Sequence, residues 1–240
     1  ASIVKYPFSS ELSGGKNKFG FFASEEDEYR IIAHELGITC INENPVKFMR
    51  YPPVYLVEAA DDICYQLMDI EDAHKLHLIT TAQTIDLLFG FFDEEQRSHC
   101  EKNLNMVSDV NEQIAYLRAN VIGLLVNECA KVFLQNEKSI LAGEEQKALI
   151  ENISDKAKNA YLNCSKFAAE NIYRSKDVLD IELAGYRIIG FLLEKFVNAV
   201  QTPSHVYSQL LLGRIPNQYE TCASSLYGKI QSIIDYISGM

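Results

Sequence analysis

Hydrophobic positions recur at helical spacing along nearly all of this chain. Val110, Ile114, Leu117, Val121, Leu124, Cys129 and Val132 mark one face of a long helix that Ser108 or Asp109 can cap. Similar spacing predicts helices over 155–173 and 177–200, a last one through Tyr227, Ile230, Ile234 and Ile237, and a short one over 144–150. Ser24, followed by Glu25, Glu26 and Asp27, opens a helix over 25–36 that Gly37 can close. Pro52 and Pro53 open a central helix expected to run from 53 to 79, because a proline in the first turn gives up an N–H that has no intrahelical partner. Thr80 or Thr81 then caps a short helix ending near Phe92, and Asp93 begins another. Residues 1–22 read as a long loop and 38–50 as a connection. Sustained alternation of period two does not occur in the sequence, so the predicted class is all-α with nine or ten helices.

The central helix departs from simple amphipathicity. Its stretch EAADDICYQLMDIED, residues 58–72, carries six carboxylates in fifteen positions. At about 100° per residue, Glu58, Asp61, Tyr65, Asp69 and Asp72 share a stripe roughly 80° wide. Leu56, Ala60, Ile63, Leu67 and Ile70 take the other side. A solvated acidic face accounts for the carboxylates on pattern alone. It does not account for Tyr65, one turn from Asp61 and one turn from Asp69, where a metal-binding or sugar-binding wall would combine such groups.

Composition narrows the classes. The 240 residues, 48% hydrophobic and 23% charged, suit an ordinary globular protein with a real core. No apolar run approaches the ~20 residues that span a bilayer, and no basic region precedes an apolar one at the N-terminus, so a cytoplasmic protein without membrane contact is expected. A net charge of −11 argues against a surface that coats nucleic acid and leaves room only for a local regulatory contact. The six cysteines lack ligand spacing and read as mostly buried reduced thiols, with zinc not expected. In that compartment the sequons at Asn152 and Asn163 are accidental. The chain starts at Ala1 in a loop and stops at Met240 after a helical pattern, which reads as a piece of a longer chain.

EAADDICYQLMDIEDA resembles the helix that carries the last metal-binding aspartate in deoxyguanosine triphosphate triphosphohydrolases of the HD phosphohydrolase superfamily. KYP at Lys5–Pro7, KFGFFASE at Lys18–Glu25, YPPVYLVEAADD at Tyr51–Asp62, IYRSKDVLDIELAGYRIIGFLLEKF at Ile172–Phe196 and DYISGM at Asp235–Met240 agree in the family's order. The resemblance covers nearly the whole chain and implies an all-α, multi-helix HD-domain-like phosphohydrolase. Residues 1–107 would hold the substrate-site loop and the end of the HD core, and 108–240 a helical region packed on it as one unit.

Carried over position by position, the resemblance implies that Asp61 is a metal ligand, that Tyr65 packs on the deoxyribose and excludes a 2′-hydroxyl, and that Asp69 accepts the sugar 3′-hydroxyl. Asp62 would lie behind the ligands, and Glu71 and Asp72 would stay solvent acids. Lys5 and Tyr6 match loop residues at the triphosphate and sugar, although Lys5 alone reads as an exposed loop lysine. Tyr173 and Glu182 resemble positions near the base, where a core tyrosine and a helix acid are the simpler explanation. The implied reaction converts a deoxynucleoside triphosphate, dGTP first, to deoxynucleoside and triphosphate with manganese or magnesium. A homo-oligomer is implied as well.

One departure is large. The family builds its metal site from a histidine, a His-Asp pair and the later aspartate, and this sequence has no His-Asp dipeptide. His34, His74, His77, His99 and His205 are scattered, and His74 and His77 lie too far along the helix from Asp61 to complete its site, reading as surface or packing residues. The missing ligands and catalytic residues are therefore expected upstream of Ala1, on the same protein or a co-purifying N-terminal fragment, and this chain alone is expected to be inactive. The alternative is a degenerate homologue that binds nucleotide or a partner as a regulatory helical module. A third reading, an unrelated helical scaffold, explains none of the separate matches.

Overall fold

The computed structural model describes residues 3–13, 17–144, 147–219 and 225–240. Its helices are α1 (Glu26–Glu35), α2 (Pro53–Lys75), α3 (Thr81–Phe89), α4 (Glu94–Leu104), α5 (Val110–Gln135), α6 (Glu137–Leu141), α7 (Asp155–Asn171), α8 (Lys176–Gln201), α9 (Val206–Leu212) and α10 (Leu226–Ser238). The all-α class therefore holds, with one addition. A small antiparallel hairpin, β1 (Cys40–Glu43) with β2 (Val46–Phe48), occupies what reads in the sequence as a plain connection. Strands of four and three residues are too short to display an alternating period.

Local chemistry explains the helix ends. Thr80 caps α3 reciprocally with Gln83, and Asp93 caps α4 with Gln96, each pair satisfying two backbone donors. Asp109 accepts from the Glu112 N–H at 3.0 Å at the start of α5. Gly37 closes α1 with φ +66°. The central helix ends earlier than the expected residue 79, because His77 turns left-handed at φ 59° and lets the Leu78 N–H reach the Ala73 carbonyl at 2.9 Å. The short helix expected over 144–150 is not formed as such. A 3₁₀ turn spans Leu149–Asn152, α6 lies before Gly143, and Glu145 and Gln146 fall outside the described residues.

The chain forms two compact units, 1–173 and 174–240, so α5 belongs with α2. In the first, α2 packs along α5, with α3, α7 and the 3₁₀ turn closing the core. Ile63, Leu67 and Ile70 of α2 are buried with Leu117, Val121 and Leu125 of α5. A smaller core of Phe21, Tyr29, Ala33, Val46 and Phe48 lies under the N-terminal loop, with the Phe21 and Tyr29 rings stacked at 4.7 Å. The second unit comprises α8, α9 and α10, where Phe196, Ala199 and Ile233 are buried and Tyr236 meets Phe196 edge-on at 5.6 Å. Among the described residues no helix is long and apolar enough to cross a membrane.

Two expectations for α2 change in three dimensions. Leu56 and Ala60, placed by periodicity on the apolar side, remain exposed. Glu71, expected in solvent, is 4% exposed and pairs with Arg118 of α5 and with Lys75 at 2.8 Å. It sits at the seam where α2 meets α5, and Arg118 is the cation that makes its burial tolerable. Asp72 stays exposed as expected.

Removing Glu71 leaves Arg118 without its carboxylate. Glu71→Ala should cost up to about 3–5 kcal/mol in denaturant unfolding, less as far as water reaches Arg118, while Asp72→Ala should change stability by under about 0.5 kcal/mol. His77→Gly should stabilise the fold by about 0.5–1 kcal/mol, the ~1–2 kcal/mol relief of a left-handed non-glycine residue less the added freedom of the unfolded chain.

Candidate functional site

The site is built on the uncovered face of α2. Burial of Ile63, Leu67 and Ile70 fixes the rotation of the helix, and the opposite stripe then faces outward. Asp61 is exposed, Tyr65 is 67% exposed and Asp69 is half-buried, so the three form a column with about 6 Å of rise between neighbours. Leu56, Val57, Ala60, Cys64 and Met68 make an exposed, largely apolar strip beside it.

The N-terminal loop reaches the start of this column. Glu58 holds Lys5 Nζ on one carboxylate oxygen at 3.1 Å and an Arg50 guanidinium nitrogen on the other at 2.5 Å, and the Arg50 guanidinium lies 4.3 Å from the Tyr55 ring centre. Tyr6 follows Lys5 and faces Phe8 edge-on at 6.1 Å, with Lys18 Nζ 5.8 Å from its ring. Gly20 makes this approach feasible. A Cβ there would stand 2.0 Å from the Tyr6 carbonyl oxygen, and the Gly20 N–H donates to the Phe8 carbonyl at 3.0 Å. Lys5, Tyr6, Phe8, Arg50, Tyr55 and Glu58 contribute to the walls of a cavity of about 150 Å³. A groove of about 840 Å³, lined in part by His99, Asn120, Glu128 and Lys156, contains no residue of α2 and none of the expected site residues.

Three side chains from α7 and its end bind α2. The Tyr161 hydroxyl donates to the Asp62 carbonyl at 3.1 Å, the Ser165 hydroxyl to Gln66 Oε1 at 2.6 Å and the Tyr173 hydroxyl to Asp69 Oδ2 at 2.5 Å. Burial, and then the Asp69 bond, push the Tyr173 phenol up to about 12. Burial likewise raises Asp62, with Glu58 and Asp61 adding repulsion against the pull of Lys5. Burial pushes Glu58 up too, but Arg50 and Lys5 together outweigh it and hold the carboxyl below its ordinary range.

Of the expected residues, Lys5, Tyr6, Asp61, Tyr65, Asp69 and Tyr173 thus stand on or beside α2. Glu182 lies exposed on α8, in the second unit. Sequence reading missed Arg50, Gly20 and the anchoring part played by Glu58. The Arg50–Glu58 pair spans eight residues across a proline pair, outside any helical spacing, so no periodic signal announces it. Among the described residues no three His, Cys, Asp or Glu side chains converge to hold a metal ion. This chain's residues therefore offer Asp61 as a lone exposed carboxylate and do not by themselves fit a metal centre.

No family model matches the chain. Curated proteins do. It is 30% identical to a deoxyguanosinetriphosphate triphosphohydrolase-like protein of Pseudomonas aeruginosa over 251 residues, covering 100% of this chain and 55% of that protein. The chain is a relative of the deoxyguanosinetriphosphate triphosphohydrolase-like proteins. A Synechocystis protein of the same description is 30% identical over 253 residues, with 100% and 55% covered. The deoxyguanosinetriphosphate triphosphohydrolase of Yersinia enterocolitica is 28% identical over 229 residues, with 87% and 44% covered. The chain spans about half the length of the curated relatives it matches.

The carboxylates of the site give opposite acid responses. Glu58, depressed in the fold, adds stability above the unfolded value of about 4.5, and that stability is lost as pH falls through its lower folded value. Asp62, raised in the fold, costs stability at neutral pH and returns it as pH falls toward 3.8. In unfolding midpoints followed from about pH 7 to about pH 3, Glu58→Gln should be less stable at neutrality and flatter below 4.5. Asp62→Asn should be more stable at neutrality, with the gain vanishing in acid.

Proposed function

We propose that this chain is the sugar-facing part of a deoxynucleoside triphosphate triphosphohydrolase, with dGTP the first substrate to test. One observation carries the reading: exposed Asp61 and Tyr65 and half-buried Asp69 share one column on α2, in a chain related over its whole length to proteins of that description. Asp69 accepts a sugar hydroxyl, and the Tyr65 ring covers the deoxyribose and leaves no space for a 2′-hydroxyl. Lys5, steered by Glu58, is the cation at the phosphate end.

Charge supports the same reading. Lys5 and Arg50 share Glu58, so Lys5 offsets only part of the negative charge of Asp61, Asp62 and Asp69, and that face repels a bare triphosphate. A divalent ion, manganese or magnesium, would relieve that repulsion and polarise the phosphate. Asp61 would supply one ligand, with the others outside this chain. The exposed Leu56–Met68 strip beside Asp61 suits packing by the residues that bring them.

Residues 1–240 alone should release no triphosphate from dGTP with manganese, whereas the complete protein should. Asp61→Ala should abolish that release, and Tyr65→Ala should narrow the preference for dGTP over GTP by about tenfold or more. Triphosphate release by the 240 residues alone, or an unchanged preference in Tyr65→Ala, would overturn the respective assignment. Nucleotide binding by the complete protein without release would favour the non-catalytic homologue instead.

A further inference from the structure

We propose that Tyr173 is a positioning residue for sugar recognition, its phenol holding the Asp69 carboxylate in the orientation that receives a 3′-hydroxyl. This rests on the reading of Asp69 above and moves Tyr173 from the base, where family resemblance puts it, to the sugar.

Helix register sets up the contact. Tyr161 bonds to Asp62 and Ser165 to Gln66, four residues further along both helices, and Tyr173, just past the end of α7, reaches the next turn of α2 at Asp69. The first two bonds reach a backbone carbonyl and a buried amide, which are structural partners. The third alone ends on a carboxylate of the outward column. At 2.5 Å it is a short, charge-assisted bond, and among the described residues no other donor meets the Asp69 carboxylate.

Anchoring α7 does not call for this bond. Ala157, Cys164, Ala168 and Ile172 are already buried in the main core, and Ile172 sits directly before Tyr173. The Tyr173 side chain itself is 43% exposed. An aspartate is broadly free about its last torsion, so an unheld carboxylate must be ordered by the ligand it receives. Tyr173 orders it beforehand. Its phenol, raised to about 12, stays protonated and donates at any ordinary pH. One oxygen of Asp69 is then engaged and the second is left for the ligand, a geometry that rewards a 3′-hydroxyl and gives nothing to a sugar without one.

The test is equilibrium binding of dGTP and of its 2′,3′-dideoxy counterpart to the complete protein, with calcium present, for the parent, Tyr173→Phe and Asp69→Asn. Tyr173→Phe should weaken dGTP by about 3–10-fold and leave the dideoxy nucleotide unchanged, at an unaltered melting temperature. Equal weakening of both nucleotides would show a merely structural tyrosine and overturn the inference, as would an unchanged Tyr173→Phe beside an Asp69→Asn that loses its preference. If Asp69→Asn keeps the preference, or the parent shows none, the reading of Asp69 fails and Tyr173 falls with it.

Discussion

Everything on the candidate face depends on the packing of α2 against α5. Ile63, Leu67 and Ile70 are almost wholly removed from water, and a helix so held cannot rotate without exposing them. That constraint turns Asp61, Tyr65 and Asp69 outward together. The Glu71–Arg118 pair at the seam reinforces it, since any other rotation would part the two and leave Glu71 only Lys75 of its own helix. Core and site are two sides of one helix, and the apolar side decides where the polar side points.

Around this fixed rod the other elements bring in what α2 lacks. The loop carrying Lys5 is pinned by Gly20, by the Phe48 N–H donating to the Pro7 carbonyl at 2.9 Å and by Glu58, which draws Lys5 and Arg50 to one carboxyl. From the other side, α7 supplies hydroxyls that lock its register on α2. The loop attaches at Glu58 and α7 at the Asp62 carbonyl and the buried Gln66 amide, so α2 is held by its polar atoms while Asp61 and Tyr65 stay exposed. Burial and the neighbouring Glu58 and Asp61 raise Asp62 despite the pull of Lys5, so the loop end of the column carries repulsion among its acids.

Sequence alone revealed most of the helices because their signals are local. Thr80, Asp93 and Asp109 cap where their side chains reach the next turn, and the 3.6-residue period exposes the core stripe of α2 and α5. The hairpin escaped because its strands are too short for a period, and the end of α2 because nothing in His77 announces a left-handed residue. Glu71 was misread for a different reason. Its partner Arg118 is 47 positions away, and burial of an acid is invisible until that partner is placed. Within the site, the column on α2 was legible from spacing, whereas Arg50, Gly20 and the Tyr173–Asp69 contact depend on tertiary approach. The pattern leaves two readings, a solvated acid face and a ligand wall, and the fold adds that Tyr65 stands exposed between the two aspartates.

The most direct measurement is the electron density of a deoxynucleoside triphosphate bound to the complete protein. The expected result is a deoxyribose against the Tyr65 ring with its 3′-oxygen on Asp69 and its phosphates running toward Asp61 and Lys5. Nucleotide density in the groove over α4 and α5, with the α2 column bare, would contradict it.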